Sequence, residues 1–391
     1  MRRPVARGWA AVVLVAAGAI VAQAFGRFSY GVLLPAIRND LDHSNTVAGL
    51  LGTVNVTAYF IGTLVVATVS ARVRLLPIFR IGFVFSLSGL ALAVVSPTAG
   101  VLAVALFLMG VGGAFIWIPS PGIATAQVGD ERRGIAVGSI GAGIGLGILF
   151  TGQLSRVLRD RSGDEAWRDV YLVETILGAV VVVAVLLLLR HDQDSVAGDG
   201  AGGFGGFNVL RQMPGWGALT AAYAAYGFSY LLVLSFLTSR LEDDAGYSEG
   251  LAATMFGLVG VGTVLGGVTL GWLADRFGER TTMTVGFTLF SAAVVGIATG
   301  AIVLVAAGAV MLGLMFAGLA AVVASYVVRH TTPERFGPSY AAATLAFGVS
   351  QMLAPQVGGL LADATGSFTL VFALSATFAL GGAVASSRLP A

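Results

Sequence analysis

The stretches "AFGRFSY" (residues 24–30) and "AAYGFSY" (residues 224–230) are near-copies 200 positions apart, matching at Ala24/Ala224, Phe28/Phe228, Ser29/Ser229 and Tyr30/Tyr230. Leu34/Leu234 and Leu41/Leu241 extend the match. At an offset of 203 it resumes with Gly110/Gly313, Glu131/Glu334, Arg132/Arg335, Gly134/Gly337, Gly145/Gly348 and Asp160/Asp363, so that "ERRG" answers "ERFG" at an equivalent link. A chain that repeats itself at half its length is built from two copies of one bundle.

Composition says what the bundle is made of. With 57% hydrophobic and 11% charged residues, the chain lies outside the balance of a soluble globular domain and reads as an integral membrane protein. A hydrocarbon core needs about 20 apolar residues per crossing. Twelve such spans are expected, at 9–36, 45–70, 75–95, 99–121, 134–158 and 169–189, then 214–237, 249–273, 281–300, 302–327, 338–361 and 368–387. The uncharged run from Thr281 to Val328 is too long for one crossing and requires a turn near "IATGA". The N-terminal "MRRPVARGW" with the apolar run after it has signal-peptide character. That apolar run continues to Ile37 and has a counterpart in the second half, so it is assigned as the first span.

Three segments follow: a first bundle over 1–190, a linker over 191–213 and a second bundle over 214–391. The linker, "RHDQDSVAGDGAGGFGGFNVLRQM" with Arg190, is glycine-rich and aperiodic, and reads as flexible. All 22 basic residues are arginine. Fifteen of them fall on the side of the termini, six on the other and Arg27 within a span, which predicts both termini in the cytoplasm and a multi-pass protein of the cytoplasmic (inner) membrane. The basic balance therefore reflects topology, and no nucleic-acid partner is expected. There is no cysteine, and His43, His191 and His330 lie in or beside links, so neither thiolate chemistry nor a metal site is expected. Without lysine there is no phosphate-binding loop of the G-x-x-x-x-G-K-[ST] type. No cofactor is expected, and an ion gradient is left as the source of energy.

"GWLADRFGER", Gly271 to Arg280, resembles the G-x-L-x-D-R-x-G-R-R signature of the major facilitator superfamily, placed in the link after the eighth span. It departs from that pattern at Glu279, and the first-half counterpart "ATVSARVR" (67–74) has Ala71 in place of the aspartate. "GRFSYG" in the first span is similar to the YbfB/YjiJ-like transporters of the superfamily. The resemblance covers essentially the whole chain. It implies an all-α membrane fold of two pseudo-symmetric six-helix bundles, a monomer, proton coupling, and a central cavity lined by the first, fourth, seventh and tenth helices. In "GSIGAGIGLGILFTG" (138–152) the glycines of the family's antiport pattern are present and its proline is not, which leaves the direction of coupling open. Gly141/Gly145 and Gly143/Gly147 in the fifth span, with Gly262/Gly266 and Gly267/Gly271 in the eighth, are small-x-x-x-small pairs. They would let these helices meet closely across the two halves.

Arg27 is the outstanding residue, because a charge at membrane depth normally faces a protein interior or a watery cavity. Gln23, Arg27 and Tyr30 share one face at α-helical spacing, as do Tyr223, Gly227 and Tyr230 in the seventh span, with Tyr226 beside them. By the resemblance Arg27 faces Gly227 across the pseudo-twofold axis, an asymmetry suited to a substrate with one anionic group and an apolar body. Trp117, in the Pro-bent "FIWIPSPG", is a further cavity candidate. Glu174 is the only acidic residue placed beyond the first position of a span. It reads either as a proton-carrying carboxyl or as a solvated group near the interface, and as a partner for Arg27 if the arginine snorkels outward. Asp275, with Arg276, Gly271 and Gly278, is read as a gate, the carboxylate latching onto the N-terminus of the fifth helix.

Three classes of function fit unequally. A membrane enzyme would need His, Asp or Glu clusters or a metal motif within the spans, and none is visible. A transporter-like sensor would keep the same fold. A secondary transporter of a small organic solute accounts for duplication, linker, signature and embedded charge together, with a multidrug efflux pump as its alternative.

Overall fold

The computed structural model describes residues 5–69, 73–128, 132–189, 208 and 210–390, and these are helical almost throughout. Ala71, Glu131 and most of the expected linker (190–207 and 209) fall outside the described residues. Helix α1 is made of Val5–Ala19, a π-helical stretch Ile20–Phe28, and Ser29–Asp40. Then come α2 (Asn45–Val69), α3 (Leu75–Val94), α4 (Ala99–Trp117, continued by Ser120–Thr125), α5 (Arg133–Ser162) and α6 (Trp167–Leu188). The second half holds α7 (Trp216–Ser239), α8 (Glu249–Phe277), α9 (Glu279–Ala298), α10 (Ile302–His330), α11 (Pro333–Thr365) and α12 (Thr369–Ser387).

Among the described residues, eleven continuous helical stretches are long and apolar enough to cross a membrane. One of these, Arg133–Leu188, is 56 residues long and holds both α5 and α6, so the crossings number twelve. In a bilayer the backbone must satisfy its own hydrogen bonds, which is why these apolar runs have no alternative to the helix. The turn required near "IATGA" lies at Thr299–Ala301, where Gly300 adopts φ +70°. Pro119 has no N–H to continue α4, and the helix breaks between Trp117 and Ser120.

The halves meet along α5 and α8, along α2 and α11, and between the outer part of α1 and α7. Glycine allows the first of these contacts. A Cβ added at Gly260 would lie 2.3 Å from the Gly145 carbonyl oxygen, so nothing larger fits without separating the helices. At Gly49 the same atom would lie 2.3 Å from the Pro355 carbonyl oxygen.

On the side away from the termini the seam is sealed by ions. Arg159, its side chain fully buried in α5, bonds Glu242 of the second half at 2.6 and 3.0 Å and Asp164 at 2.7 Å, with Glu249 3.5 Å away. Arg38 pairs with Asp243, and the Asp363 carboxylate accepts the backbone N–H groups of Asn45 and Thr46 at the start of α2, at 3.0 and 2.7 Å. On the other side the contact ends. Gly134, Gly138 and Gly141 of α5, and Gly267 and Gly271 of α8, face nothing within 4 Å. The molecule is therefore closed on one side and open on the side that carries both termini.

Candidate functional site

Arg27 sits inside the π stretch of α1 and is half-buried. Widening a helix to i→i+5 bonding displaces carbonyls from their usual partners. Here Asn55 of α2 answers that need: its amide donates to Gly26 O at 3.0 Å and to Leu106 O of α4 at 2.8 Å. The Arg27 guanidinium donates across the molecule to the Tyr230 hydroxyl of α7 at 3.2 Å and to the Gln351 amide oxygen of α11. It also lies 4.8 Å from the centre of the Tyr59 ring, within cation–π range. Its Nε is buried without a hydrogen-bond partner. Among the described residues no carboxylate contacts it, so the positive charge is solvated by dipoles and an aromatic face and is not neutralised.

The second-half wall is aromatic. Tyr223, Tyr226 and Tyr230 climb α7 one turn at a time, with ring centroids 6.1 and 5.0 Å apart. Phe347 of α11 stacks on Tyr223 at 4.4 Å, and Phe316 of α10 lies 5.0 Å from Tyr230. The Tyr226 hydroxyl is spent on the Phe316 carbonyl. Above Arg27, on the closed side, a cavity of about 20 Å³ remains, lined by Phe28, Tyr30, Asn55, Leu234, Ser235 and Pro355 among others. That is room for about one water.

Several sequence expectations change here. Gly227 does not face empty space opposite Arg27, because α11 packs against it and an added Cβ would come within 2.7 Å of the Phe347 carbonyl oxygen and the Ser350 hydroxyl. Tyr30 lines the same small cavity as Arg27, but its hydroxyl is spent on Ala48 O of α2, to which it donates at 2.7 Å. Gln23 is buried and its side chain lies against Tyr59, the ring that also receives Arg27. The i, i+4 spacing of Gln23 and Arg27 therefore does bring both against Tyr59, while the Tyr30 hydroxyl is turned away to α2. Trp117 lies off the Arg27 level, since Met109 abuts Gly26 and Trp117 is eight residues further along α4, about 12 Å toward the open side.

Glu174 is neither interfacial nor paired with Arg27. It is fully buried between α6, α1 and α5, where Oε1 accepts from Ser29 at 2.5 Å and from Thr151 at 2.7 Å, and Oε2 has no partner. A carboxyl in that setting, with hydroxyls and no cation around it, can take up and release a proton.

In the signature link, Asp275 is exposed and, among the described residues, pairs with Arg329 at the end of α10 and not with Arg276 or Arg280. Glu279, the departure from the family pattern, is buried and holds the same arginine at 2.8 Å, so the two acids grip Arg329 together. Arg276 rests on Trp272 and Phe277, Gly271 stands in the open seam, and Gly278 makes the α8–α9 turn at φ +81°. Residues that sequence reasoning passed over complete the site: Asn55, Tyr59, Gln351, Ser29 and Thr151. Asn55 and Gln351 had a legible signal, since amides within apolar spans are as exceptional as charges.

Comparison with known proteins agrees with this architecture. A family model described as "Uncharacterised MFS-type transporter YbfB" matches residues 19–386. The uncharacterized MFS-type transporter YfhI of Bacillus subtilis (strain 168) is 24% identical over 374 residues, covering 93% of this chain and 90% of that protein. Monocarboxylate transporter 13 of Rattus norvegicus is 22% identical, covering 98% and 89%. Among solved structures, the nucleoside transporter NupG superposes with a TM-score of 0.80 at 12% identity, covering 96% of this chain and 98% of that one.

Proposed function

The chain belongs to the YbfB-like family of major facilitator superfamily transporters, and on that premise we propose that it is a secondary active transporter of a small organic solute with an anionic group and an apolar body. The observation that carries this reading is Arg27: a guanidinium without a carboxylate partner among the described residues, at the junction of the two halves, bonded to both α7 and α11 of the opposite half. A planar fork binds a carboxylate through two parallel bonds, and the Tyr223–Tyr226–Tyr230 wall with Phe347 offers stacking surface to the rest of the molecule. The name of one relative, monocarboxylate transporter 13, supports an anionic solute.

Alternating access follows in this account from exchanging the sealed and open sides. The Arg159 and Arg38 clusters would break as Gly134, Gly138 and Gly141 close on α8. Glu174 is the coupling group, loading and releasing a proton as the halves rock. The open side faces the cytoplasm in this account, which the arginine bias supports, in a protein that works as a monomer in the cytoplasmic membrane.

A panel of organic acids and neutral analogues, presented to purified protein in liposomes with and without a pH gradient, tests the reading. Accumulation of an acid that depends on the gradient supports it. Transport confined to neutral apolar compounds would favour a multidrug pump, and saturable binding without flux would identify a sensor.

A further inference from the structure

Ser29 joins two features that the proposed mechanism uses separately, the carboxyl of Glu174 and the π stretch that carries Arg27. It is the first residue after that stretch, and its N–H bonds Ala24 O five residues back, closing the last π turn. Its hydroxyl has one proton and two acceptors within reach: Glu174 Oε1 at 2.5 Å and Ala24 O at 3.1 Å. Thr151 supplies a second hydroxyl to the same carboxyl oxygen and lies 3.4 Å from Ser29 Oγ.

The charge on Glu174 decides where the Ser29 proton points. Ionised, the carboxyl only accepts, and it draws both hydroxyl protons in charge-assisted bonds. Ala24 O then keeps the backbone N–H alone. Once one proton is taken up from water onto Oε1, the acid becomes a donor toward Ser29 Oγ, the Ser29 proton turns to Ala24 O, and Thr151 still donates to Oε1. No other proton changes its oxygen. Ala24 O now holds two donors from Ser29, which reinforces the π turn. Without the second donor the turn relaxes more readily toward α, and a change of one residue in register rotates the flanking helix by about 100°. Arg27 is the side chain such a rotation would carry off Tyr230 and Gln351.

We infer that Ser29 is a positioning residue that passes the protonation state of Glu174 to Arg27 through the π turn of α1, so that proton release frees the guanidinium from the second half. This rests on reading Glu174 as the proton site and Arg27 as the substrate contact. Among the other ionisable groups near Glu174, only Tyr171, three residues away on α6, is close and uncommitted. Tyr30 of α1 bonds Ala48, Tyr171 of α6 makes no hydrogen bond, the nearest charge along α5 is Arg156, and Arg80 of α3 bonds the Leu189 carbonyl.

Because the chain has no cysteine, nitroxide labels at Val137→Cys and Val268→Cys, exposed on the open ends of α5 and α8, report the seam directly. Distance distributions are recorded on the full chain in lipid nanodiscs across a pH series, with the Glu174 carboxyl followed by infrared difference spectroscopy. The background protein is expected to shift its distribution with pH, and Glu174→Gln to lose the shift. Ser29→Ala should lose the shift while the carboxyl band still titrates, and Ser29→Thr, which restores a hydroxyl, should regain it. Thr151→Val removes a donor that does not reach Ala24, so it should move the midpoint and keep the shift. If Ser29→Ala keeps the shift and Glu174→Gln abolishes it, the relay alone is refuted. A shift that survives Glu174→Gln, or no shift in the background protein, shows that Glu174 is not the proton site and overturns the relay with it.

Discussion

Arg159→Met is expected to move the protein away from the sealed conformation by about two orders of magnitude in the equilibrium. Deleting one partner of a buried ion pair costs about 3–5 kcal/mol, because the other charge is left without compensation. Of the three acids around Arg159, Asp164 and Glu249 have side chains 27% and 38% exposed and regain water readily. Glu242 is 10% exposed and belongs to the opposite half. The lower end of the range, about 3 kcal/mol, is therefore the part that bears on the seam, and at about 1.36 kcal/mol per tenfold this is a factor of about a hundred. Ser235→Cys, buried beside the small cavity on the sealed side, reports opening through its rate of alkylation by a membrane-impermeant maleimide applied from that side. The rate should rise about a hundredfold in Arg159→Met if it follows the open population. Arg156→Ala is the control, since Arg156 and Asp160 are half exposed and 3.9 Å apart, a pair worth about 0–1 kcal/mol. Equal labelling in the Arg159 variant and its parent would refute the seal.

Glu174→Gln should weaken the pH dependence of transport more than it weakens substrate affinity, because an amide keeps the bonds from Ser29 and Thr151 and cannot titrate; a proton-driven accumulation assay checks it. Gly260→Ala should loosen the α5–α8 seam, as its methyl would stand 2.3 Å from the Gly145 carbonyl oxygen, and should raise labelling at Ser235→Cys as the loss of Arg159 does. Asp275→Asn should change thermal stability by no more than about 1 kcal/mol, since the Asp275–Arg329 pair is exposed. The latch expected of Asp275 belongs to the opposite conformation, where closing would bring α8 to the start of α5. Slower turnover at unchanged affinity in this variant supports it, and unchanged turnover rejects it.

The crossings were legible because a bilayer leaves apolar runs no choice but the helix, and the "IATGA" turn because one helix cannot be twice the thickness of the membrane. The close contact of α5 with α8 was legible only in part: of the paired glycines Gly145 alone lies in it, whereas Gly143 and Gly147 pack on α1, Gly262 and Gly266 pack on α10, and Gly260, which completes the contact, stands in none of the pairs. The site was legible only in part. Arg27 announced itself as a charge, but its partners Tyr230 and Gln351 lie 203 and 324 residues away, and no local pattern connects them. The face argument brought Gln23 and Arg27 to the same ring, that of Tyr59, but did not foresee the Tyr30 hydroxyl on Ala48 O, and no spacing in "IVAQAFGRF" signals that Ile20–Phe28 is π-helical. The burial of Glu174 was missed because depth along a helix does not tell which neighbours cover it, and Thr151 and Ser29 come from other helices. Ion clusters such as that of Arg159 escaped because each member reads alone as an ordinary charge at a helix end.

The central claim is that Arg27 binds the anionic group of the substrate, and paired solutes test it most directly. For any acid that the protein carries in liposomes, uptake of the carboxylate is compared with that of its uncharged amide by the parent chain, Arg27→Ala and Arg27→Lys. The parent chain should prefer the carboxylate. Arg27→Ala should lose about 10- to 100-fold in affinity for it, the worth of a hydrogen bond to a charged group, with little change for the amide. Arg27→Lys should recover only part of the loss, because an ammonium cannot reproduce the planar fork. Transport of the carboxylate by Arg27→Ala at the parent rate and affinity would contradict the account.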